Sequence, residues 1–557
     1  MNTTDSAGDS LGTPNRSGAF APGILIAALL LFFLVAAAYC NDSLDDPYIT
    51  YRYAHNMARG YGLVWNVGEP PVEGYTTFFW AVLHAPFLKA GVSPLLVSRV
   101  VSLLSGALML LVLFSPLNRA VRSPLWRTTL ALLLIFFPAM QFFGQSGMET
   151  LFFAMLAFVG TIFWLNSREA PYSRASLAAA SALYGLAVLT RPEGLFLFGI
   201  VLLMELAPLL PGRPETDRLA VRARLPLYVG PFLVCWLPHF LWAYHYYGYP
   251  VPNTVYAKYS GGSKLRNLPL GIQYVGKAFS VYLVVPFSLL VGLLLSGMSG
   301  EKPAGSEDRR WQTVVWPMLL ITAVYTLYML WMGGDDTAAF PSSRLFVPIV
   351  PLLWLGLAAA CETALERAPE QKRRIAAVTV LGLCLFCSLS DALPLLKRSG
   401  IEISQGPRGV VKRVIAYLPN IGAQWAGPRS EWIDQTTKPD AWIAVPWAGR
   451  VPYYTDRPTI DMLGLSDVHI AHTQTNQMGI DVKTDPDYVL SRKPELIFVH
   501  VDPRYYRGEA SFEESGGWRA GDKRLLDLLK TSTEYTFDTS VPASVLEGGI
   551  SVFRRKP

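Results

Sequence analysis

The chain has 557 residues, of which 51% are hydrophobic and 16% are charged, and its mean hydropathy is +0.29. This composition is too apolar for a soluble protein of this length and is typical of a membrane protein with several spans. The net charge of +6 does not indicate a nucleic-acid partner, because the basic residues lie in short loops between apolar runs. The five cysteines show no zinc-ligand spacing, so no metal site is predicted.

The N-terminal part predicts a cytoplasmic tail followed by a first span. Residues 1–20 are polar and rich in Gly, Ser, Asn and Thr, so we expect them to be disordered. Residues 22–39 form an apolar run that is longer than the core of a usual signal peptide, which predicts a retained span. Further runs of spanning length follow at 96–117, 126–144, 149–166, 176–190, 195–211, 225–246, 279–298, 313–332, 342–363 and 375–396. They predict about eleven spans within residues 21–397.

The loops between these runs differ in charge, and this difference predicts the orientation. Arg and Lys are concentrated in 119–127, 168–174, 213–224, 302–310 and 367–374, which the positive-inside rule assigns to the cytoplasm. A span at 76–92 would reverse the alternation, so this segment is predicted to be an interfacial helix on the outer surface. The first outer loop is then 41–95. We expect a multi-pass membrane protein.

Residues 398–557 are predicted to form a soluble extracytoplasmic α/β domain. Apolar runs at 441–449, 494–501 and 550–555 indicate strands, and residues 523–531 indicate an amphipathic helix.

The chemically specific sequences lie in the loops predicted to face outward. They are the 41–75 segment, "GQSGMET" (144–150), "TRPEG" (190–194), "PVPNTVYAKYSGGSKLRN" (250–267) and "GGDDTAAFPSSR" (333–344). The sequence therefore predicts a solute site at the outer face of the membrane.

The first outer loop begins with two adjacent carboxylates, Asp45 and Asp46. Asp46 followed by Pro47 predicts a helix start, and the helix should end near Arg59. The amides of its first turn can bind the Asp46 side chain, so Asp45 is expected to be the freer carboxylate. The structural alternative is that both acids cap and solubilise a surface helix. Ionisable groups at a bilayer edge nevertheless indicate function when other polar groups converge on them.

The helix predicted after Pro47 has two unlike faces. Arg52 and Arg59 lie on a polar face, whereas Ile49, Tyr53 and Met57 form the opposite face. That apolar face is suited to lying on lipid.

Residues 44–80, "LDDPYITYRYAHNMARGYGLVWNVGEPPVEGYTTFFW", resemble the first outer loop of bacterial GT-C glycosyltransferases related to the mycobacterial terminal arabinofuranosyltransferases. The resemblance continues in "GMET", "LTRPEG", "PNTVYAK", "GGDD…RLFVPIVPLL", "IDMLGLSDVHIAH" and "YVLSRKPELI", and it covers most of the chain from about residue 41 to residue 500. It departs at Pro47 and Pro71, and neither change touches the acidic pair.

This resemblance implies a polytopic GT-C fold and transfer of a sugar, here arabinofuranose, from a polyprenyl-phosphate donor to an envelope glycan outside the membrane. Such chemistry needs a carboxylate that takes the acceptor proton and cations that stabilise the departing phosphate. Inversion at the anomeric carbon is expected. No cofactor is required, although a divalent cation held by Asp45 and Asp46 is an alternative role for the pair.

Candidate residues can be assigned to each of these roles. Asp45 is the first candidate for the base and Asp46 the second. Candidates for phosphate binding are the basic residues Arg191, Lys258, Arg52 and Arg344. Candidates for sugar or acceptor binding are Glu73, Tyr75, Glu149, Asn253, Tyr256, Asp335, Asp336 and Asp461. Structural alternatives remain for several: an ion pair with Glu193 for Arg191, solvation for Lys258, helix capping for Glu149 and a turn for Asp461.

Three other functions stay open at this point. The chain could be a transferase that modifies secreted or pilus proteins, a transporter or flippase of lipid-linked sugars, or an inactive scaffold that binds envelope polymer. Transport is less well indicated, because there is no internal repeat and the polar residues gather at one surface. A cytosolic nucleotide-sugar donor is not indicated, because no phosphate-binding fingerprint follows a credible strand.

Overall fold

The computed structural model describes residues 22–39, 44–169, 172–211, 214–258, 267–289, 310–334, 343–366, 368–398, 412, 415, 421, 426–474, 483–517 and 519–557. Up to residue 398 the described chain is helical. The helices are α1 (Pro22–Ala38), α2 (Pro47–Ala58), α3 (Phe78–Lys89), α4 (Pro94–Phe114), α5 (Pro124–Ile135), α6 (Pro138–Gln145), α7 (Thr150–Asn166), α8 (Arg174–Thr190), α9 (Gly194–Leu206), α10 (Glu215–Tyr247), α11 (Asn253–Lys258), α12 (Leu268–Ala278), α13 (Trp316–Met332), α14 (Val350–Ala364) and α15 (Glu370–Arg398). Short π-helical segments, Phe279–Leu283 and Trp311–Val315, adjoin α12 and α13, and 3₁₀ turns lie at Ala207–Leu209 and Arg344–Phe346.

Several of these helices are long and apolar enough to cross a bilayer. They are Pro94–Phe114, Arg218–Tyr247, Leu268–Leu289, Trp311–Met332 and Glu370–Lys397. Helices α5 and α6 form one broken segment that bends by 52°, where Pro138 begins α6 and interrupts the predicted run 126–144. Shorter apolar helices are Pro22–Ala38, Thr150–Asn166, Arg174–Thr190, Gly194–Leu209 and Val350–Ala364. Each predicted run overlaps a helix, whereas the number of spans stays a prediction.

The helices α7, α8 and α9 separate the two kinds of loop. Helix α7 begins after the "GMET" motif, and α9 begins after "TRPEG". Their other ends lie beside the basic loops, as does the start of α8. At that end, Arg310 lies 3.3 Å from Glu362, which also accepts a hydrogen bond from the Arg122 amide (2.9 Å). A helix of 17 residues such as α8 is about 25 Å long. The basic loops and the specific motifs therefore lie at opposite ends of the bundle.

Residues 426–557 contain a mixed five-stranded sheet in the order β2-β1-β3-β5-β4. The strands are β1 (Ile443–Val445), β2 (Thr459–Asp461), β3 (Leu496–Val499), β4 (Tyr535–Phe537) and β5 (Ser551–Arg555). Strand β1 is parallel to β2 and β3, and the other pairs are antiparallel. Strands β1, β3 and β5 fall within the three segments predicted as strands.

Helices cover both faces of this sheet. They are α16 (Gly427–Thr436), α17 (Arg450–Thr455), α18 (Val468–Ala471), α19 (Pro486–Ser491), α20 (Pro503–Arg507), α21 (Ala520–Thr531) and α22 (Ala543–Leu546). Alternate residues of β3 point to opposite faces, as a pleated strand requires. Ile497 packs in one apolar cluster and Phe498 in the other. The predicted helix 523–531 lies within α21.

Helix α2 does not lie on lipid with its apolar face, as the sequence predicted. Tyr53 is fully buried and Ile49 is 8% exposed. The helix packs against α3 on one side and α17 on another, where the ring centroids of Tyr48 and Tyr453 are 5.3 Å apart. The prediction was wrong for Ile49 and Tyr53 because they pack into an apolar cluster with the following loop, α3 and α10, whereas Met57 is 37% exposed.

Candidate active site

A cavity of about 200 Å³ lies at the motif-bearing end of the helices. The starts of α2 and α3, the turns before α7 and α9, α11 and the end of α13 contribute to its wall. Six charged side chains line it: Asp46, Glu149, Arg191, Glu193, Lys258 and Arg344. The volume is below the ~300–1,000 Å³ typical of pockets for drug-sized ligands. The cavity therefore fits a small polar group better than a whole glycan.

The two carboxylates at the start of α2 face different partners. Oδ1 of Asp45 accepts a hydrogen bond from the Arg450 amide (2.8 Å), and a Cβ at Gly449 would collide with its Oδ2. The Asp46 carboxylate lines the cavity, with Oδ2 3.6 Å from Nη1 of Arg344. Among the residues that the structure describes, no first-turn amide bonds to the Asp46 side chain. Asp45, which the sequence predicted to be the freer acid, is instead held by the Arg450 amide.

Asp45 is held in an environment that favours its protonated form. Burial raises its pKa above the usual value, although the hydrogen bond from the Arg450 amide opposes this shift. The nearby charge of Asp46 raises the pKa further. Asp45 therefore joins α2 to the C-terminal segment, while Asp46 supplies the carboxylate at the cavity.

Alternating charges continue from Asp46 along the cavity wall. Arg191 bonds to Glu149, and its Nη2 lies 3.0 Å from Oε1 of Glu193. The positive charge of Arg344 also acts on Glu193. Burial alone would raise the pKa of Glu193, but the neighbouring Arg191 outweighs burial and lowers it. Burial likewise disfavours the charged form of Arg191, but its two carboxylate partners raise its pKa well above the usual value.

Uncharged side chains complete the wall. Tyr75 lines the cavity, and its hydroxyl is 3.0 Å from that of Tyr247. Thr50 and Thr77 also line it, with hydroxyls 2.8 Å apart. Tyr328 and other residues of α13 form an apolar side. A polar group entering the cavity would thus meet hydroxyl groups as well as charges.

Of the predicted site residues, Arg52 lies away from the cavity. Its guanidinium donates to the carbonyls of Trp65 (2.9 Å), Pro452 and Arg457 (2.8 Å), and it stacks on the Trp65 ring. The side chain is buried and ties α2 to the C-terminal segment. Its predicted role in phosphate binding is therefore wrong.

Arg52 and Arg59 provide a matched test of this interpretation, because both lie on or beside α2 and contact residues 452–457. Arg52→Gln should destabilise the protein by about 3 kcal/mol, since it leaves buried carbonyls without a donor. Arg59→Gln removes an exposed ion pair with Asp456, which should cost less than about 1 kcal/mol. Thermal unfolding in detergent measures both changes. Equal Tm values for the two variants would contradict the structural role of Arg52.

Three further predicted ligands have structural partners instead. Asp461 is fully buried and accepts hydrogen bonds from the amides of Leu463 (3.0 Å) and Ser466 (2.7 Å). The Asn253 side-chain amide donates to the carbonyls of Gly464, Leu465 and Asp467. Tyr256 stacks on His472 at 4.6 Å. Asn253 and Tyr256 join α11 to the C-terminal segment, and Asp461 fixes a turn within that segment, so their assignment to sugar or acceptor binding is corrected.

Glu73 is buried directly behind the cavity wall, next to Gly74, which lines the cavity. Its main-chain carbonyl accepts a hydrogen bond from the Asn253 amide (2.9 Å). Burial raises the pKa of its carboxyl group from 4.5 to about 8. In the folded protein at pH 7, the Glu73 carboxyl group is therefore mainly protonated and neutral. The residue lies next to the cavity but does not line it.

This shift predicts a pH-dependent effect of Glu73→Gln. Between pH 4.5 and 8 the folded protein holds a proton that the unfolded chain has lost, so the wild-type stability falls as the pH rises through this window. The variant should match the wild type near pH 5 and exceed it by a few kcal/mol near pH 9. Thermal unfolding at both pH values measures this difference. Glu69→Gln, which removes a partly exposed carboxylate of the same loop that pairs with Arg492 (3.0 Å), controls for the general loss of a carboxylate. A Tm difference that is the same at both pH values would contradict the neutral assignment.

Two predicted residues, Asp335 and Asp336, lie outside the described residues. In the part of the chain that the structure describes, no group of three or more His, Cys, Asp or Glu side chains is arranged to hold a metal ion. A divalent cation at Asp45 and Asp46 stays a prediction.

Some residues that line the cavity were not predicted as site residues from the sequence. Glu193 was considered only as a partner of Arg191, yet it lines the cavity itself. Its place in "TRPEG", two residues after Arg191, was the available signal. Thr50 and Thr77 carried no signal, because their meeting depends on the packing of α2 against α3.

The fold and this cavity can now be compared with known structures. ArnT from Cupriavidus metallidurans, crystallised with undecaprenyl phosphate, superposes over 96% of this chain and 97% of its own, with a TM-score of 0.53 and 16% sequence identity. The chain has a GT-C-like fold. The oligosaccharyltransferase of Archaeoglobus fulgidus matches 93% of the chain and 72% of its own, with a TM-score of 0.49 and 13% identity.

Sequence comparison adds a relative to this GT-C-like chain. This chain is 29% identical over 267 residues to the terminal beta-(1->2)-arabinofuranosyltransferase of Mycobacterium tuberculosis (strain ATCC 25618 / H37Rv). The alignment covers 45% of this chain and 40% of the relative, so it spans less than half of either protein. Residues 419–538 match the family described as Domain of unknown function (DUF8728).

Proposed function

We propose that this GT-C-like protein is a membrane glycosyltransferase that uses a polyprenyl-phosphate-linked sugar. The observation that carries the proposal is the cavity in which Asp46 meets Arg344, Lys258 and the paired Arg191. An acid and several cations in one small cavity provide the two kinds of group that this transfer requires. Arabinofuranose is the proposed sugar because of the similarity to the mycobacterial relative, and an envelope glycan is the proposed acceptor.

Asp46 is the proposed general base. Its carboxylate takes the proton of the acceptor hydroxyl while that oxygen forms a bond to the anomeric carbon. The bond between the anomeric carbon and the phosphate oxygen breaks at the same time, and the phosphate leaves with the electron pair. Attack opposite the leaving phosphate inverts the configuration at the anomeric carbon. Asp46 suits this role because it lines the cavity, whereas Asp45 is bonded to the Arg450 amide.

The leaving phosphate is assigned to Arg344 and Lys258. Both side chains line the cavity, and Arg344 is close to Asp46. Arg191 is less suited, because Glu149 and Glu193 already balance its charge. We assign Arg191 to holding these two acids in place. Glu149 and Tyr75 are then the proposed contacts of the sugar hydroxyls.

The proposed orientation places the cavity at the extracytoplasmic face. The basic loops lie at the opposite end of α7, α8 and α9 and would face the cytoplasm by the positive-inside rule. With about eleven spans proposed from the apolar runs, the rule also gives a cytoplasmic N-terminus and an extracytoplasmic C-terminal domain. The acceptor would then reach the cavity from outside the cell.

The test is a transfer assay with the purified chain in nanodiscs. Polyprenyl-phosphoryl arabinofuranose and an arabinan oligosaccharide are supplied, and mass spectrometry follows the products. The proposal predicts an acceptor heavier by one pentose and release of polyprenyl phosphate. Parallel reactions use a polyprenyl-phosphoryl hexose and a peptide acceptor. Movement of the intact donor between leaflets without transfer would contradict the proposal, and transfer to the peptide would replace the glycan acceptor.

A further inference from the structure

A second cavity, of about 460 Å³, lies at the opposite end of the helices from Asp46. It is bounded by Arg168, Tyr172 and Ser173, the end of α9 and the first half of α10. The length of α8, about 25 Å, separates it from the cavity at Asp46. The two cavities therefore cannot share a ligand head group, and the second has no part in the proposed transfer.

The wall of this second cavity is basic. Three arginines and one glutamate line it: Arg168, Arg174, Arg224 and Glu205. Glu205 is 5% exposed and bonds to Nε (2.8 Å) and Nη2 (3.0 Å) of Arg224, and Nη1 of Arg168 lies 3.5 Å away. Glu205 thus pairs with two of the arginines, and Arg174 adds a third positive charge, so the described wall carries an excess of positive charge.

The guanidinium groups of Arg168 and Arg224 are held in place before any ligand binds. Arg224 donates to the carbonyl (2.8 Å) and hydroxyl (3.1 Å) of Ser167, and Glu205 also accepts from the Trp164 indole (2.9 Å). A group whose geometry is already fixed loses little entropy when it binds an anion.

The rest of the wall is apolar. Leu177 of α8 and Val221 and Leu227 of α10 line the cavity beside the arginines. Only 11% of the most apolar stretch of α10 is buried. This exposure is expected for a helix that faces lipid. The cavity thus combines cations with an apolar wall next to the bilayer, which is the combination that binds lipid head groups.

We propose that this cavity binds the phosphate head group of an anionic phospholipid from the leaflet opposite the Asp46 cavity. The arginines contact the phosphate oxygens, and the apolar residues of α8 and α10 contact the first part of the acyl chains. The proposed ligand thus combines a negatively charged phosphate with an apolar tail. A soluble phosphate shares the first property but lacks the second.

Lipid binding to the full chain in detergent tests this assignment. Phosphatidylglycerol is titrated against the wild type and variants, phosphatidylcholine serves as the neutral head group, and sodium phosphate serves as the soluble anion. Bound lipid is counted by native mass spectrometry, and Tm reports stabilisation. Arg174→Gln is the informative variant, because Arg174 is exposed at the first residue of α8 and its loss should not disturb folding. Arg222→Gln, which removes the same charge from an exposed position on α10 outside the cavity, is the control.

The proposal predicts that phosphatidylglycerol binds and stabilises the wild type and Arg222→Gln equally. Arg174→Gln should bind it about tenfold more weakly, as expected for one lost charge-assisted contact. An equal loss in both variants would show attraction to general surface charge and overturn the site. The same stabilisation by sodium phosphate would overturn the lipid assignment, and so would equal binding of phosphatidylcholine.

Discussion

Asp46→Asn is expected to lower sugar transfer by about 10²–10⁴-fold, the usual contribution of a general base. The variant keeps the size of the side chain but cannot accept the proton of the attacking hydroxyl. Donor binding should persist, because Arg344 and Lys258 remain. Initial rates and binding of polyprenyl-phosphoryl sugar to the purified variant measure the two effects separately.

Asp45→Asn is the matched control for this result. It removes a carboxylate from the neighbouring position, where Oδ1 bonds to the Arg450 amide rather than lining the cavity. A smaller loss of rate than in Asp46→Asn is expected. Full loss of transfer in Asp45→Asn together with an active Asp46→Asn would move the base to Asp45, as the sequence first indicated.

Arg344→Gln should reduce the transfer rate by about 10²–10³-fold, the scale observed when one group that stabilises transition-state charge is removed. Its guanidinium lines the cavity beside Asp46 and would face the phosphate as negative charge develops. Arg344→Lys should restore part of the rate, because it keeps the charge but not the planar fork. Steady-state kinetics with varied donor concentration provide the measurement. Unchanged kinetics in Arg344→Gln would remove Arg344 from the phosphate site.

Arg191→Gln separates a phosphate ligand from a structural cation. It leaves Glu149 and Glu193, whose side chains are 4% and 10% exposed, without their shared partner. Breaking a buried ion pair in this way costs about 3–5 kcal/mol, so Tm should fall much further than in Arg344→Gln. A stable Arg191→Gln variant with slow transfer would instead assign Arg191 to the phosphate.

The helical part of the fold could be predicted because a span leaves a local signal, a long apolar run. The break between α5 and α6 carried a signal as well, since Pro138 interrupts the run. The start of α2 was also predictable from Asp46 and Pro47. These features depend on neighbours within a few turns of chain.

The partners that individual polar residues of the first outer loop bind come from segments distant in sequence, so they could not be predicted. Asp45 is turned from the cavity by the segment at Gly449 and Arg450, and Arg52 is bound by carbonyls at Pro452 and Arg457. Nothing within the loop distinguishes Asp45 from Asp46, or shows that Arg52 is bound by distant carbonyls. Arg191 and Lys258 both line the cavity, and each belongs to a motif at a helix end, which is a signal within the local sequence.

The most direct test of the central claim is a cryo-EM structure of Asp46→Asn in nanodiscs with polyprenyl-phosphoryl sugar bound. The substitution should slow turnover enough to retain the intact donor. The account predicts the phosphate within hydrogen-bond distance of Arg344 and Lys258, and the anomeric carbon facing position 46. A phosphate bound at Arg52, or a sugar that faces Asp45 instead of the cavity, would contradict it.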